Sequence, residues 1–134
     1  MLAGAVDTNV LVRLLTQDDP AQAQAVDRLL AKHANSGLLL FVPITVVLEL
    51  EWVLRSRLTQ SKAEFIRTMG SLLTMVEFSF ESEHALEQAL VDYQEGVADF
   101  AEYVHLAIAR KNEALPFFTF DHKASKAMGA KKLG

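Results

Sequence analysis

A chain of 134 residues, of which 51% are hydrophobic and 22% charged, has the length of one domain and ample apolar side chains for a core, which excludes disorder. It contains no cysteine, which excludes disulfides, thiolate metal sites and cysteine nucleophiles and fits a reducing compartment. Its net charge of −4 argues against broad, undirected nucleic-acid affinity, because such affinity depends on neutralising phosphates. We therefore expect a single domain over residues 1–134.

Neither apolar stretch of the chain suits a membrane. The longest, Leu38 to Leu48, is interrupted by Pro43 and is too short to span a bilayer. The apolar run from Leu2 to Val6 is too short for a signal-peptide core and has no basic start. We expect a cytoplasmic protein without membrane contacts.

Strand and helix patterns alternate from end to end, which predicts βα units and a mainly parallel sheet, hence an α/β fold. In the first half of the chain, the sequence predicts a buried strand at Leu2 to Val6 and then a short helix. The next helix begins at Asp19 and Pro20 and ends at Asn35-Ser36-Gly37. A strand at Leu38 to Val42 follows, and then a helix that is capped by Thr45 and ends near Arg57. The second half predicts a helix opened by the capping box Ser61 to Glu64, a strand at Met75 to Phe80, a helix capped by Ser82, a helix from Asp99 to about Lys111, and a strand at Leu115 to Phe120.

Two of the predicted strands stop on a carboxylate. Asp7 follows the first strand and Asp121 follows the last. The carboxyl ends of parallel strands meet at the edge where open α/β sheets bind ligands, so these two acids suggest a divalent-metal site there. Carboxylate sites favour magnesium (Mg²⁺) or manganese (Mn²⁺). The alternative is that each Asp only caps the helix that follows it.

The third helix carries two acids that differ in their neighbours. Glu51 has Arg55 four residues later, the spacing of a solvated surface pair. Glu49 has Trp52 and Val53 at helical spacing, which places it among side chains expected to face the core. A carboxylate there needs a partner, because an unpaired buried charge is costly. A metal ion or its water is one candidate, and a hydrogen bond to the backbone is the other.

Asp99 and Glu102 open the last long helix. Their spacing fits a capping box, which would explain both residues without any chemistry. Residues three apart on a helix also lie on one side, so both could point toward the strand-end acids. The sequence leaves these two interpretations open.

Positive charge is concentrated after the last candidate carboxylate, at Lys123, Lys126, Lys131 and Lys132. A basic margin beside an acidic pocket is typical of a nucleic-acid footprint, and Lys123 and Lys126 are its candidate contacts. An ordinary solvated C-terminus is the alternative interpretation.

Four short motifs follow one another along the chain: Asp7-Thr8-Asn9, Leu48-Glu49-Leu50, Ala98-Asp99-Phe100-Ala101-Glu102 and Thr119-Phe120-Asp121. In this order and spacing the chain resembles a PIN domain and, more narrowly, the VapC toxins of bacterial and archaeal toxin–antitoxin pairs. The resemblance covers essentially the whole chain. It implies a three-layer α/β/α fold around a mainly parallel sheet of four or five strands.

The resemblance also implies an activity and partners. Such a protein would be a Mg²⁺- or Mn²⁺-dependent endoribonuclease that cleaves RNA, is held inactive by a small cognate antitoxin protein, and forms a homodimer. Phosphodiester hydrolysis needs an activated water and charge stabilisation on the phosphate, and a metal ion held by carboxylates can supply both.

The family's acids fall on five positions of this chain, namely Asp7, Glu49, Asp99, Glu102 and Asp121. The resemblance implies that Asp7 and Asp99 are the principal metal ligands. Glu49 and Asp121 would be ligands through water or would position the attacking water, and Glu102 would support the metal ligands. Many members have Asp where this chain has Glu102, which leaves open whether Asp99 or Glu102 is the main ligand on this helix. Thr8, Asn9 and Thr119 are candidates for hydrogen bonds that hold the ligands.

Two other classes of function compete with this hypothesis. A metal-dependent phosphatase or phosphoacceptor domain would use a strand-end Asp as nucleophile, but Asp7-Thr8-Asn9 lacks the usual second acid within two residues. Lys123 is the only nearby lysine that such a site could use. A non-catalytic interaction module would instead receive a basic side chain of a partner in its acidic pocket.

Overall fold

The computed structural model describes all 134 residues. The strands are β1 (Leu2–Ala5), β2 (Leu39–Val42), β3 (Phe78–Phe80), β4 (Phe117–Thr119) and β5 (Ala130–Lys132). The α-helices are α1 (Thr8–Thr16), α2 (Pro20–His33), α3 (Ile44–Trp52), α4 (Lys62–Leu73), α5 (Glu83–Glu95) and α6 (Phe100–Lys111). A π-helical turn, Val53–Arg57, continues α3, and a 3₁₀ turn, Ala124–Lys126, precedes β5. No helix combines the length and apolar character that crossing a membrane requires.

Every strand pairing is parallel, so the predicted α/β class is confirmed. Strands β1, β2 and β3 form one sheet in that order, and β4 and β5 form a second sheet. The five strands are therefore divided between two small sheets. The outer edge of β1 has no partner strand, because β4 pairs with β5 alone.

The prediction that the first strand is buried is wrong for β1. All four of its residues are exposed, and burial begins only at Val6. Its only partner strand is β2, but the edge position is not the cause by itself, because β3 is also an edge strand and its Phe78 and Phe80 are buried. The Val6 amide still donates a 3.0 Å hydrogen bond to the Phe41 carbonyl, which keeps the chain in register up to Asp7.

Two predicted helix caps are also wrong. The third helix begins at Ile44 after Pro43, so Thr45 lies inside α3 and does not cap it. Ser82 stands at the cap position of α5 but has a left-handed backbone with φ of 54°, and its side chain accepts no capping hydrogen bond. The Ile44 amide is bonded instead by the Glu81 carboxylate at 2.8 Å, a partner from another part of the chain.

The core behind α6 is aromatic. The rings of Phe65 and Phe100 lie 5.1 Å apart edge to face, and Tyr93 packs against both. Phe65 on α4 and Phe100 on α6 have essentially no exposed surface. This contact between α4, α5 and α6 fixes the first turn of α6 and therefore the position of Asp99, directly before it.

We predict that Ser61→Ala destabilises the protein whereas Ser82→Ala does not. The Ser61 hydroxyl accepts from the Glu64 amide at 3.1 Å and the Glu64 carboxylate accepts from the Ser61 amide at 2.9 Å, a complete capping box. Loss of such a cap costs about 1 kcal/mol. Ser82→Ala is the control, because it removes no cap and only one exposed hydrogen bond, which Lys111 donates to the Ser82 hydroxyl at 3.1 Å. Thermal melting of both variants checks this, and an equal loss in the two would contradict the difference between the caps.

Candidate functional site

The end of β1 opens into a small polar pocket between α1 and α3. It has a volume of about 330 Å³, and we call it the Asp7 pocket after the first of its lining residues, Asp7, Thr8, Asn9, Glu49, Trp52, Val53 and Arg57. Asp7 is the N-cap of α1, and its Oδ1 accepts from the Val10 amide at 3.3 Å. The capping role predicted as an alternative is therefore real, but it uses only one carboxylate oxygen.

A hydrogen bond from Thr8 holds the Glu49 side chain in this pocket. The Thr8 hydroxyl, which is buried, donates to Oε1 of Glu49 across 41 positions of sequence. Glu49 itself is exposed, so the prediction that it lies among core-facing side chains is wrong. Its carboxylate accepts from this side chain of α1, and no backbone amide donates to it, so the predicted alternative of a backbone hydrogen bond is not formed.

A second pocket of about 330 Å³ is lined by Asp99, Asp121, His122 and Lys123. Asp99 stands at the N-cap of α6, yet its side chain makes no capping hydrogen bond. The capping box predicted as an alternative for Asp99 and Glu102 is therefore not formed, and the Asp99 carboxylate remains available. We call this the Asp121 pocket.

The Asp121 side chain is held by its own turn. Its Oδ1 accepts from the Ala124 amide at 2.9 Å, and its backbone amide donates to the Thr119 hydroxyl at 3.0 Å. Thr119 thus supports the acid next to it, and Lys123 lies in the same pocket as a positive charge. Both residues take up positions compatible with their predicted roles.

The remaining predicted residues lie apart from these pockets. Glu102 is half-buried in the first turn of α6 and lines neither pocket. Lys126 lines a separate groove of about 660 Å³ between α5, α6 and the C-terminal segment, together with Val97, Arg110 and Met128.

The four strand-end and helix-start acids therefore occupy two pockets in pairs. Asp7 lies with Glu49, and Asp99 lies with Asp121. No group of three or more acidic or histidine side chains is close enough to hold one metal ion. The sheet is divided at the same place, because Asp7 follows β1 and Asp121 follows β4, two strands that do not pair.

The prediction for Glu51, the second acid of α3, is wrong. We expected a solvated ion pair with Arg55, but the two form no ion pair, and Arg55 donates to the Tyr93 hydroxyl at 2.7 Å. Glu51 is half-buried, and this burial raises its pKa; the positive charge of Arg55 opposes the rise and the negative charge of Asp99 adds to it. Glu51 points away from the Asp7 pocket that Glu49 lines, because residues two apart on a helix point about 200° apart.

The loop before Asp99 is held by two side chains that sequence reasoning did not single out. The Tyr103 hydroxyl accepts from the buried Ala98 amide at 3.2 Å, and Lys62 donates to the Gly96 carbonyl at 3.0 Å. A Cβ on Gly96 would overlap the Tyr103 hydroxyl, so only glycine allows this approach. Gly96 and Tyr103 lie close in sequence, but nothing in the local pattern indicates their contact.

The donor set of both pockets suits a hard divalent cation. Asp and Glu oxygens are the ligands that Mg²⁺ and Mn²⁺ prefer, and Asp7 and Asp121 each keep one oxygen outside their capping hydrogen bond. Two carboxylates in a pocket leave the other coordination positions to water or to phosphate oxygens, an arrangement typical of Mg²⁺.

Comparison with protein-family models identifies the chain. The PIN domain model matches residues 5–129, which is nearly the whole length. The chain belongs to the PIN domain family. PIN domains are in general metal-dependent nucleases, so the family favours a nuclease, a hydrolase, over a phosphatase or a non-catalytic module. The three-layer α/β/α class expected from the sequence is confirmed. No curated protein sequence matches the chain significantly.

The pKa of Glu51 predicts how stability depends on pH. Because its folded-state pKa is raised above the ordinary value of 4.5, the ionised carboxylate destabilises the fold. The penalty is absent below the unfolded-state pKa and is complete once the pH has risen past the folded-state pKa. We expect Glu51→Gln to raise the melting temperature at neutral pH and to lose this advantage on acidification toward about pH 4.

The control is Glu87→Gln, an exposed acid on α5 without a hydrogen bond. It should leave the melting temperature unchanged at both pH values. A Glu51→Gln protein whose stability followed that of the wild type over the whole range would contradict the effect assigned to the half-buried position of Glu51.

Proposed function

We propose that this PIN domain is a Mg²⁺- or Mn²⁺-dependent endoribonuclease of the VapC type, which acts in the cytoplasm as the toxin of a type II toxin–antitoxin pair. The observation that carries the proposal is the hydrogen bond between Thr8 and Glu49, which joins the first two acidic motifs in one polar pocket beside Asp7. All four acidic motifs of the resemblance are present in order, and each lines a pocket or adjoins one.

We assign the metal-holding role to Asp7 and Asp99 first, with Asp121 and Glu102 in support. The bound cation would supply charge stabilisation on the scissile phosphate and lower the pKa of the attacking water. Glu49, oriented by Thr8, is suited to accept a proton from that water. Asn9 can donate an amide hydrogen bond into the same pocket, and Lys123 can neutralise a phosphate beside Asp121.

We propose further that the two pockets act as one site. Each of β1 and β4 has one open edge, and each ends two residues before its Asp. Parallel pairing of these two edges would bring Asp7 and Asp121 to the same end of one sheet. Pairing would also give partners to the backbone N–H and C=O groups along these two open edges.

We predict that Asp7→Asn abolishes metal-dependent RNA cleavage while leaving the fold intact or slightly more stable, because the change keeps the side-chain shape and removes one of several repelling charges. At a Mg²⁺ concentration about a hundredfold above Kd, wild-type protein should gain about 2.7 kcal/mol of stability, and Asp7→Asn less. Melting curves with and without Mg²⁺ provide the measurement. Asp27→Asn, an exposed acid on α2, is the matched control and should respond like the wild type.

A double-mutant cycle tests whether the pockets are one site. If Asp7 and Asp121 bind the same ion, the losses of Mn²⁺ affinity in Asp7→Asn and Asp121→Asn should not add in the double variant. Strict additivity would show two independent sites, and equal Mg²⁺ responses of Asp7→Asn and the wild type would argue against Asp7 as a ligand.

We propose that the partner is a small antitoxin whose amphipathic helix occupies the 660 Å³ groove. Val97 and Met128, both largely exposed, line this groove, and Asp92 and Glu95 give it an acidic side. Val97 also lies two residues before Asp99, so a chain leaving the groove is near the acidic pockets. An Arg there could bind carboxylates with two donors at once. We propose a homodimer as the assembly, since Phe118 and Phe120 are exposed.

The antitoxin proposal predicts competition with the metal. An Arg or Lys of the partner near Asp7 and Asp99 should lower the affinity for Mn²⁺, because both cations need the same carboxylates. Calorimetric titration of Mn²⁺ into the free protein and into its complex with the product of the adjoining gene measures this. Unchanged affinity in the complex would rule out direct competition.

A further inference from the structure

Trp52 is an exposed aromatic residue in a polar pocket. It is the only tryptophan of the chain, stands at the last position of α3, and keeps 55% of its surface exposed. Its ring lines the Asp7 pocket three residues after Glu49. Apart from Trp52 and Val53, the lining residues of this pocket are polar or charged. An apolar partner helix would find little apolar surface beside the indole, so protein docking does not account for its position.

Arg57 places a positive charge beside the Trp52 ring. Its guanidinium carbon lies 5.7 Å from the centre of the Trp52 ring, within the range of a cation–π contact. Arg57 forms no ion pair and no side-chain hydrogen bond, although Asp7 and Glu49 line the same pocket. Its charge is therefore directed over the indole and is not neutralised by the acids.

An exposed ring and an unpaired guanidinium together match an unpaired nucleotide. Bases of single-stranded nucleic acid stack on aromatic rings, and Arg binds the phosphate that follows. Bases within a duplex are already stacked on each other and offer no free face. A nucleotide held here would extend its backbone toward the carboxylates of Asp7 and Glu49.

We infer that Trp52 and Arg57 form a nucleotide-binding subsite that holds one unpaired base on the indole and its phosphate on the guanidinium, beside the acidic pocket. The inference rests on the proposed function for the choice of RNA as ligand. It makes Trp52 and Arg57 determinants of specificity for single-stranded substrate, whichever residues perform the cleavage.

The single tryptophan makes the test direct, because all indole fluorescence reports on this subsite. Wild-type protein is titrated, without the divalent metal that cleavage requires, with a single-stranded RNA oligonucleotide, the same sequence as a duplex, and its abasic backbone. We expect the single strand to quench and shift the emission, and the duplex and abasic backbone to change it little. Equal quenching by the abasic backbone would overturn base stacking.

Variants measure the contribution of each residue by anisotropy of the labelled single strand. Stacking on one aromatic ring corresponds to a roughly tenfold or larger loss of affinity in Trp52→Ala, with partial retention in Trp52→Phe. Arg57→Ala should weaken binding and reduce the slope of log affinity against log salt by about 0.7. Arg28→Ala, an exposed Arg on α2 without a hydrogen bond, is the matched control and should keep wild-type affinity. Melting curves verify that every variant folds.

A Trp52→Ala protein that binds the single strand as tightly as the wild type would overturn the inference. So would one that instead loses only self-association or antitoxin binding, because the ring would then serve a protein contact. Cleavage with Mn²⁺ separates this result from the proposed function. Wild-type protein that binds and quenches but never cleaves RNA supports the subsite and refutes the nuclease. Cleavage with unchanged kcat and KM in Trp52→Ala supports the nuclease and refutes the subsite.

Discussion

The structure depends on one contact between distant segments, the hydrogen bond from the buried Thr8 hydroxyl to the Glu49 carboxylate. It holds the first turn of α1 against α3 and so places Asp7 and Glu49 in the same pocket. The orientation of α3 then decides the position of its other polar residues. Trp52 lines the same pocket as Glu49, whereas Glu51 does not.

Neighbouring side chains hold the loop that leads to Asp99 at the start of α6. The loop before Asp99 is fixed by Tyr103 and Lys62, and Gly96 leaves room for the Tyr103 hydroxyl. Burial raises the pKa of the half-buried Glu51; the positive charge of Arg55 opposes the rise, and the negative charge of Asp99 adds to it. A cation bound near these acids would favour their ionised form.

The strands and the acidic residues are separated at the same place, between β1 and β4. Strands β1 and β4 each leave an edge unpaired, and the acids that follow them, Asp7 and Asp121, lie in separate pockets. Both β1 and β3 are edge strands of the first sheet, yet β1 is exposed and the phenylalanines of β3 are buried. If β1 paired with β4 as proposed, the two sheets would become one, and Asp7 and Asp121 would lie at the same end of it.

The sequence by itself determined the features that depend on local periodicity and local hydrogen bonds. These include the parallel α/β class, the Ser61 capping box, the end of α6 near Lys111, and the strand-end positions of Asp7 and Asp121. Only the tertiary structure decided the rest. The half-buried position of Glu51, the exposure of β1 and the place of Trp52 in a pocket shared with α1 depend on how distant segments pack. Side chains far apart in sequence make these contacts. The hydrophobic repeat of a helix, 3.6 residues, or of a strand, two residues, contains no information about such partners.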